Sequence, residues 1–139
     1  MKSYDAAATI EAPPETIWAI LTDAPAYAEW DSGVQRVEGS IAPGEKIKVV
    51  SEANPGRAFP VKVTTFEPGR AMTWSGGMPL GLFKGVRTFS LSPDGTATRF
   101  TMREEYSGPL LGLIWRSMPD HGPSFEQFAR GLKHRAEQG

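Results

Sequence analysis

The sequence predicts an α+β fold, with one antiparallel sheet and helices packed against one of its faces. Apolar residues recur at helical spacing in the final segment, residues 124–138, while residues 34–107 alternate between apolar and polar and are divided by Pro-Gly and Asp-Gly turns. Consecutive strands joined by short turns form an antiparallel meander. An amphipathic helix must bury its apolar stripe, and the sheet offers the surface for it.

The first 30 residues predict one strand followed by two short helices. Residues 3–10 alternate in the manner of a strand, and Pro13-Pro14-Glu15 suits a helix start, where a missing N–H costs nothing and the helix dipole favours an acid. A second short helix is predicted over residues 24–30. Because helices this short are unstable alone, both must pack on the sheet.

Six further strands are predicted before the C-terminal helices. They cover residues 34–40, 46–52, 59–66, 71–76, 83–92 and 96–107. The last two are joined by a turn at Pro93-Asp94-Gly95, so residues whose numbers sum to about 190 should face each other. This register places Arg87 opposite Glu104, within a residue or two.

The C-terminal region predicts a short helical segment, an interruption and a long helix. Residues 110–118 are apolar enough for one or two buried turns, and two prolines and a glycine interrupt residues 119–123. Ser124, with Gln127 three residues later, has the pattern of a capping box. The alternative is one kinked helix with Asp120 as an internal cap.

Composition excludes several classes of function. The chain has 139 residues, a formal net charge of −1 and no cysteine, so nothing favours a nucleic-acid or anionic-membrane partner or a thiolate site. His121 and His134 lack metal-ligand spacing, and no phosphate-binding glycine loop precedes a helix. Without a signal core or a long apolar run, we expect one cytoplasmic domain over residues 1–139, with no metal, no cofactor and no membrane insertion.

An ordered set of motifs resembles the polyketide cyclase/dehydrase-like branch of the START-related SRPBCC superfamily. The set comprises Ala12-Pro13-Pro14-Glu15-x-Ile17-Trp18, Leu21-Thr22-Asp23, Tyr27-x-Glu29-Trp30, Gly85-x-Arg87-x-Phe89-x-Leu91-x-Pro93, Asp94-Gly95-Thr96, Glu104-x-Tyr106-x-Gly108 and Gly131-Leu132-Lys133-x-Arg135-Ala136-Glu137. The resemblance implies a helix-grip fold, in which a seven-stranded antiparallel sheet wraps the C-terminal helix around a deep apolar cavity. It carries over no common set of reaction residues, since this superfamily includes carriers, receptors, cyclases and co-chaperones.

Strand alternation directs Arg87 and Glu104 toward the helix, into an apolar interior. Such charges are costly unless they pair. One interpretation is a structural ion pair that sets the strand register. The other is a polar anchor, in which Arg87 binds an anionic or carbonyl group of a ligand and Glu104 orients Arg87.

Aromatic and methionine side chains in the same interior could form core or line an adaptable pocket. Apolar residues on the glycine-rich loop of residues 76–83 suggest a lid or a loop tucked into the core, with Trp115 and His121 as the opposite lip. The predicted ligand-binding residues are Trp30, Met72, Trp74, Met78, Phe83, Arg87, Phe89, Phe100, Met102, Glu104, His121, Phe125 and Phe128.

Three functions remain open at this stage. The first is binding of a small hydrophobic molecule between the final helix and the sheet. The second is a polyketide cyclase or dehydratase in the same cavity, with Glu104, Tyr106 or His121 as the acid or base. The third is a co-chaperone-like protein-interaction module, which would need a large exposed apolar patch. The ligand and the oligomeric state are left undetermined.

Overall fold

The computed structural model describes residues 2–52, 54–118 and 120–138. One antiparallel sheet dominates it, and its strands are β1 (Lys2–Ile10), β2 (Val34–Glu38), β3 (Lys46–Ser51), β4 (Ala58–Glu67), β5 (Ala71–Gly77), β6 (Lys84–Asp94) and β7 (Ala97–Ser107). The helices are α1 (Pro14–Leu21), α2 (Leu111–Ser117) and α3 (Gly122–Glu137), with short 3₁₀ helices at Ala24–Glu29 and Pro79–Gly81.

The sheet is a meander with one added strand. Its order is β1-β7-β6-β5-β4-β3-β2, so the six consecutive strands pair with their neighbours and β1 joins the free edge of β7. The sheet curls into a half-barrel around the C-terminal helix, which confirms the predicted α+β helix-grip fold. Pairing with β1 places the start of the chain beside α3, the helix that ends it.

Strand pairing between β6 and β7 confirms the predicted register. Asp94 faces Ala97, and Arg87 faces Glu104, as a residue sum of 191 requires. The turn itself lies one residue later than expected, because both strands continue to these positions.

The core lies between α3 and the concave face of the sheet. The stripe of α3 is buried as predicted, at Phe125, Phe128, Ala129, Leu132 and Ala136. On the sheet, Met72, Phe89, Phe100 and Met102 are at most 1% exposed. Burial of this aromatic and aliphatic surface supplies the main favourable free energy of folding.

The start of α3 differs from the predicted capping box. The helix begins at Gly122 rather than after Ser124, and Pro123 lies in its first turn, where no intrahelical N–H bond is needed. Asp120 Oδ1 accepts a hydrogen bond from the Gly122 N–H at 2.9 Å, but α2 and α3 are separate helices, not the one kinked helix of the alternative prediction. The Gln127 amide instead donates to Asp31 Oδ1 at 2.6 Å, which ties α3 to the loop before β2.

Candidate functional site

A single row of side chains crosses the concave face of five strands. The register pairs Val63 with Trp74, Trp74 with Arg87, Arg87 with Glu104, and Glu104 with Tyr4. Directly opposed residues on neighbouring strands have side chains within contact range. The row therefore sets a guanidinium and a carboxylate between an indole and a phenol.

The two charges of this row form a direct ion pair. Arg87 Nε donates to Glu104 Oε1 at 2.6 Å, and the two side chains are 23% and 17% exposed. The Arg87 guanidinium also lies 4.8 Å from the centre of the Phe125 ring on α3. Pairing repays part of the cost of removing both charges from water, which explains how they persist in an apolar setting.

Aromatic rings surround this ion pair and form what we call the entrance cluster: Tyr4, Phe83, Tyr106, Trp115, His121 and Phe125. Tyr4 lies at its centre, with ring centroids 5.4 Å from Trp115, 5.6 Å from His121 and 5.7 Å from Phe125. Tyr106 stacks on Phe83 at 6.0 Å. The cluster thereby joins β1, β7, α2 and the first turn of α3.

Two titratable groups of the entrance cluster have shifted pKa values. Burial raises the pKa of the Tyr106 phenol well above its usual range, and the negative charge of Glu104 raises it further. Burial lowers the pKa of His121, which the charge of Glu104 opposes in part. Both groups are therefore neutral near pH 7.

The lowered pKa of His121 predicts a loss of stability in mild acid. Between the folded and unfolded pKa values the unfolded chain binds more protons, so the free energy of unfolding falls as pH drops below about 6.5. His121→Phe keeps a ring beside Tyr4 and should reduce this fall, measured by urea unfolding at about pH 7.5 and about pH 5.5. His134→Phe is the control, and an equal effect of both variants would contradict the prediction.

A second group of rings fills the interior below the entrance cluster. The Phe128 ring lies 5.1 Å from Trp30, 5.8 Å from Phe89, 6.1 Å from Phe100 and 6.2 Å from Tyr27. We call these rings, with Trp74, the Phe128 cluster. Trp74 contacts it through Phe89, at 4.8 Å. Aromatic contact thus occupies the region where the sequence predicted a deep cavity.

Two donors within the Phe128 cluster lack an acceptor. Trp30 and Trp74 are only 7% and 3% exposed, and neither indole N–H has a hydrogen-bond partner among the described residues. A buried donor without a partner costs about 1–3 kcal/mol. By contrast, the Tyr27 hydroxyl, in the same cluster, donates to the Leu21 carbonyl at 2.6 Å.

Two surface hollows flank the sheet, and neither of these two lies between α3 and the concave face. One, of about 290 Å³, lies at the β5–β6 loop against Gly76, Met78 and Phe83. The other, of about 350 Å³, lies on β1 and β7 at Ala6 and Thr101. The first adjoins the entrance cluster, because Phe83 belongs to both.

The structure divides the predicted site residues into two groups. Those buried in the interior are Trp30, Met72, Trp74, Phe89, Phe100, Met102 and Phe128, and those at the entrance are Phe83, Arg87, Glu104, His121 and Phe125. Met78, predicted to point inward, is 43% exposed at the rim of the loop hollow, because the chain leaves the sheet at Gly77.

Sequence reasoning missed Tyr4 as a site residue. Its signal was present in the alternation of β1, which puts Tyr4 on the face of Ala6 and Ile10, but the pairing of β1 with β7 could not be inferred from the turns. That pairing alone brings Tyr4 opposite Glu104.

The described residues contain no group of three or more His, Cys, Asp or Glu side chains that could hold a metal ion. No helix within the same ranges is long and apolar enough to cross a membrane.

Solved structures of low sequence identity share this fold. A START superfamily protein from Mycobacterium smegmatis is 20% identical over 98% of this chain and 97% of its own, with a TM-score of 0.72. The Aha1 dimer from Colwellia psychrerythraea is 19% identical over 99% and 97%, with a TM-score of 0.75. StfQ, a di-domain ARO/CYC of the steffimycin biosynthetic pathway, is 11% identical over 98% of this chain and 51% of its own, with a TM-score of 0.73.

The comparison with curated proteins gives no match. One family model matches residues 1–137, and its description is "Polyketide cyclase / dehydrase and lipid transport". The match spans every strand and helix described above, including the Arg87–Glu104 row and the whole of α3. The chain therefore belongs to the polyketide cyclase / dehydrase and lipid transport family.

Proposed function

We propose that this protein binds a small, mostly apolar molecule that carries a hydrogen-bond acceptor, between α3 and the concave face of the sheet. The observation that carries the proposal is the pair of buried indole N–H groups, at Trp30 and Trp74, which lack acceptors inside an otherwise apolar interior. An acceptor supplied by a ligand would remove the free-energy cost of both donors. Family membership supports the same reading, since lipid transport is part of the family's description.

Arg87 is the residue we assign to the polar end of the ligand. Its register partner on β5 is Trp74, so its side chain leaves the sheet next to that of one of the two unpaired indoles. Its ion pair with Glu104 uses Nε, and a guanidinium has further N–H donors for an anionic or carbonyl oxygen. Glu104 would hold Arg87 in this orientation.

Entry of a ligand requires side chains of the interior to move. The rings of the Phe128 cluster are in contact, and the space for a ligand must come from their displacement. Met72 and Met102 flank Phe89 in the strand register, and flexible methionine side chains adapt to such changes. The hollow beside Phe83 adjoins the entrance cluster, and we infer that a ligand enters from that end.

Arg87→Met should weaken binding of an apolar anion more than it weakens folding. With the fluorescent probe anilinonaphthalene sulfonate, we expect the dissociation constant to rise about tenfold or more, because a charge-assisted hydrogen bond is lost. The free energy of unfolding should fall by about 1–3 kcal/mol, since Glu104 loses its partner in a half-buried site. Probe titration and urea unfolding on the same samples give both quantities.

Arg99→Met is the matched control, because Arg99 lies exposed on β7 and donates to Thr9 Oγ1 on the convex face. Its probe affinity should equal that of the wild type. If Arg87→Met unfolds readily while its folded fraction binds the probe normally, the pair is structural and the assignment of Arg87 to the ligand is wrong.

A cyclase- or dehydratase-like enzyme in the same site is the second candidate. The observation in its favour is that three proton-transfer groups, on Glu104, Tyr106 and His121, meet around Arg87, and the charge of Glu104 acts to raise the pKa values of both Tyr106 and His121. Turnover of a bound aromatic or polyketide-like compound, reduced at least about a hundredfold in Glu104→Gln or Tyr106→Phe, would establish it. Binding of such compounds without turnover would leave the carrier function.

A further inference from the structure

Exposed apolar side chains lie on two adjoining segments, the β5–β6 loop and α2. Four large apolar side chains are exposed among the described residues, and three of them, Met78, Leu80 and Leu113, are 43%, 96% and 69% exposed. These three, which we call the apolar tip, lie on the β5–β6 loop and on α2. The fourth, Phe59, lies on β4.

Backbone contacts hold the two segments of the apolar tip together. The Leu110 N–H donates to the Leu82 carbonyl at 3.0 Å, and the Met78 N–H donates to the Phe83 carbonyl at 2.8 Å. A Cβ atom added at Gly108 would lie 2.6 Å from the Leu82 oxygen, so only glycine permits this approach. The loop that carries Leu80 and the start of the helix that carries Leu113 therefore lie side by side.

Leu80 is held in an unfavourable setting for a leucine. Its φ of 63° lies in the left-handed region, where a side chain is strained, and nearly its whole surface faces solvent. Glycine would fit that backbone better and expose no apolar surface. Nothing in the fold of the described residues uses the Leu80 side chain, which points to a use outside the molecule.

Positive charges without acids surround the apolar tip. Lys84 and Arg116 are exposed on its two segments, and Lys2 Nζ lies 5.8 Å from the centre of the Trp115 ring on α2. Residues 76–93 and 106–119 contain no Asp or Glu. Carboxylates close to these segments in the chain or the strand register have partners: Glu104 pairs with Arg87, Glu105 lies 4.0 Å from Arg103, and Asp120 accepts a hydrogen bond from the Gly122 N–H.

We propose that the apolar tip docks on the surface of a lipid bilayer that contains anionic phospholipid. Met78, Leu80 and Leu113 would enter the boundary between headgroups and acyl chains, while Lys2, Lys84 and Arg116 approach the phosphates. This is contact with one leaflet and not insertion across the membrane. The proposal stands apart from the identity of the ligand, although it would bring the entrance cluster to the bilayer through Phe83 and Trp115.

Charge decides between a bilayer and the other partners that an apolar patch could take. A second copy of this chain would bring Lys84 and Arg116 against the same cations, which is unfavourable. An anionic lipid surface attracts each of them, and exposed leucines flanked by cations are typical of segments that lie in a membrane interface.

Vesicle co-sedimentation tests the proposal. The wild type should bind vesicles that mix phosphatidylglycerol into phosphatidylcholine, and binding should weaken with added salt. Leu80→Ser combined with Leu113→Ser should weaken binding at least about tenfold, because both side chains lose their apolar burial. Lys84→Ser should weaken it about fivefold, and Phe59→Ser, which removes an exposed apolar side chain elsewhere, should leave it unchanged.

Four outcomes would overturn the proposal. They are no binding to phosphatidylglycerol vesicles, equal binding to pure phosphatidylcholine, equal binding by the leucine variant, and a dimer that forms without lipid and dissociates in that variant. Light scattering after size exclusion detects the dimer, and melting curves check that each variant is folded. The leucine variant should still bind anilinonaphthalene sulfonate, so failure of docking and failure of the interior site are distinguishable.

Discussion

Phe128→Ala should lower the free energy of unfolding by about 3–5 kcal/mol, the range for an aromatic side chain removed from a packed core. Phe128 is 2% exposed, and its ring contacts four others, on β6, β7 and the 3₁₀ helix with its following residue. The four rings are held on separate elements of the packed core, so they can relax only in part into the space that Phe128 leaves. Urea unfolding followed by circular dichroism gives the value.

Phe59→Ala is the matched control, because Phe59 is 39% exposed on β4 and contacts Arg57 at the surface. We expect a change within about 0.5 kcal/mol. A loss below about 1 kcal/mol for Phe128→Ala would mean that the space between α3 and the sheet is loosely filled. That result would favour a preformed cavity over the displaced rings proposed above.

Gly131→Ala should destabilise the protein by about 3 kcal/mol, near the upper end of the usual cost of overpacking. Gly131 lies within α3, where the helix crosses the loop before β2, and an added Cβ would lie 2.1 Å from the Asp31 carbonyl oxygen. No rotation of a side chain relieves this clash, because the backbone of α3 fixes the position of the Cβ and its neighbour is a backbone oxygen. The helix or the loop must move, which would also disturb the bond between Gln127 and Asp31.

Gly112→Ala should have the opposite effect on stability, although it too replaces a helical glycine with alanine. Gly112 is on α2, and a Cβ added there meets no heavy atom within 4 Å. Alanine is the better helix former, so stability should rise by about 0.5–1 kcal/mol. Equal effects of the two substitutions would show that α3 and the Asp31 loop do not approach as closely as described.

Local patterns in the chain determined most of the secondary structure. Pro13-Pro14 marked the start of α1, and alternation located all seven strands to within about two residues. The buried stripe of α3 could also be predicted, because apolar residues at helical spacing indicate which face is buried. The first residue of α3 could not be predicted in this way, because a proline and a capping serine compete for the same turn. In the structure, Asp120 Oδ1 accepts a hydrogen bond from the Gly122 N–H at the start of the helix.

The Arg87–Glu104 pair is the part of the site that the sequence could predict. A short hairpin links β6 and β7, so the register follows from simple counting, and the observed bond agrees with it. Tyr4 faces the same Glu104, but β1 and β7 are separated by almost the whole chain. No local sequence pattern predicts a contact between residues that are so far apart in the chain.

Charge distribution gives a similar contrast. A net charge of −1 argued against an anionic membrane partner, yet Lys84 and Arg116 are exposed, and residues 76–93 and 106–119 contain no Asp or Glu. The net charge of the chain does not show where the charged residues lie in the folded protein, and only the structure shows which of them are neighbours.

By itself, then, the sequence determined the elements, their order and the one strand register that a tight turn dictates, because these depend on residues close together in the chain. Only the tertiary structure decided that the rings around Phe128 meet, that two indole donors are buried without acceptors, and that the segments carrying Leu80 and Leu113 adjoin. These features arise from the curl of the sheet and the approach of α3, which bring together side chains that no spacing in the sequence connects.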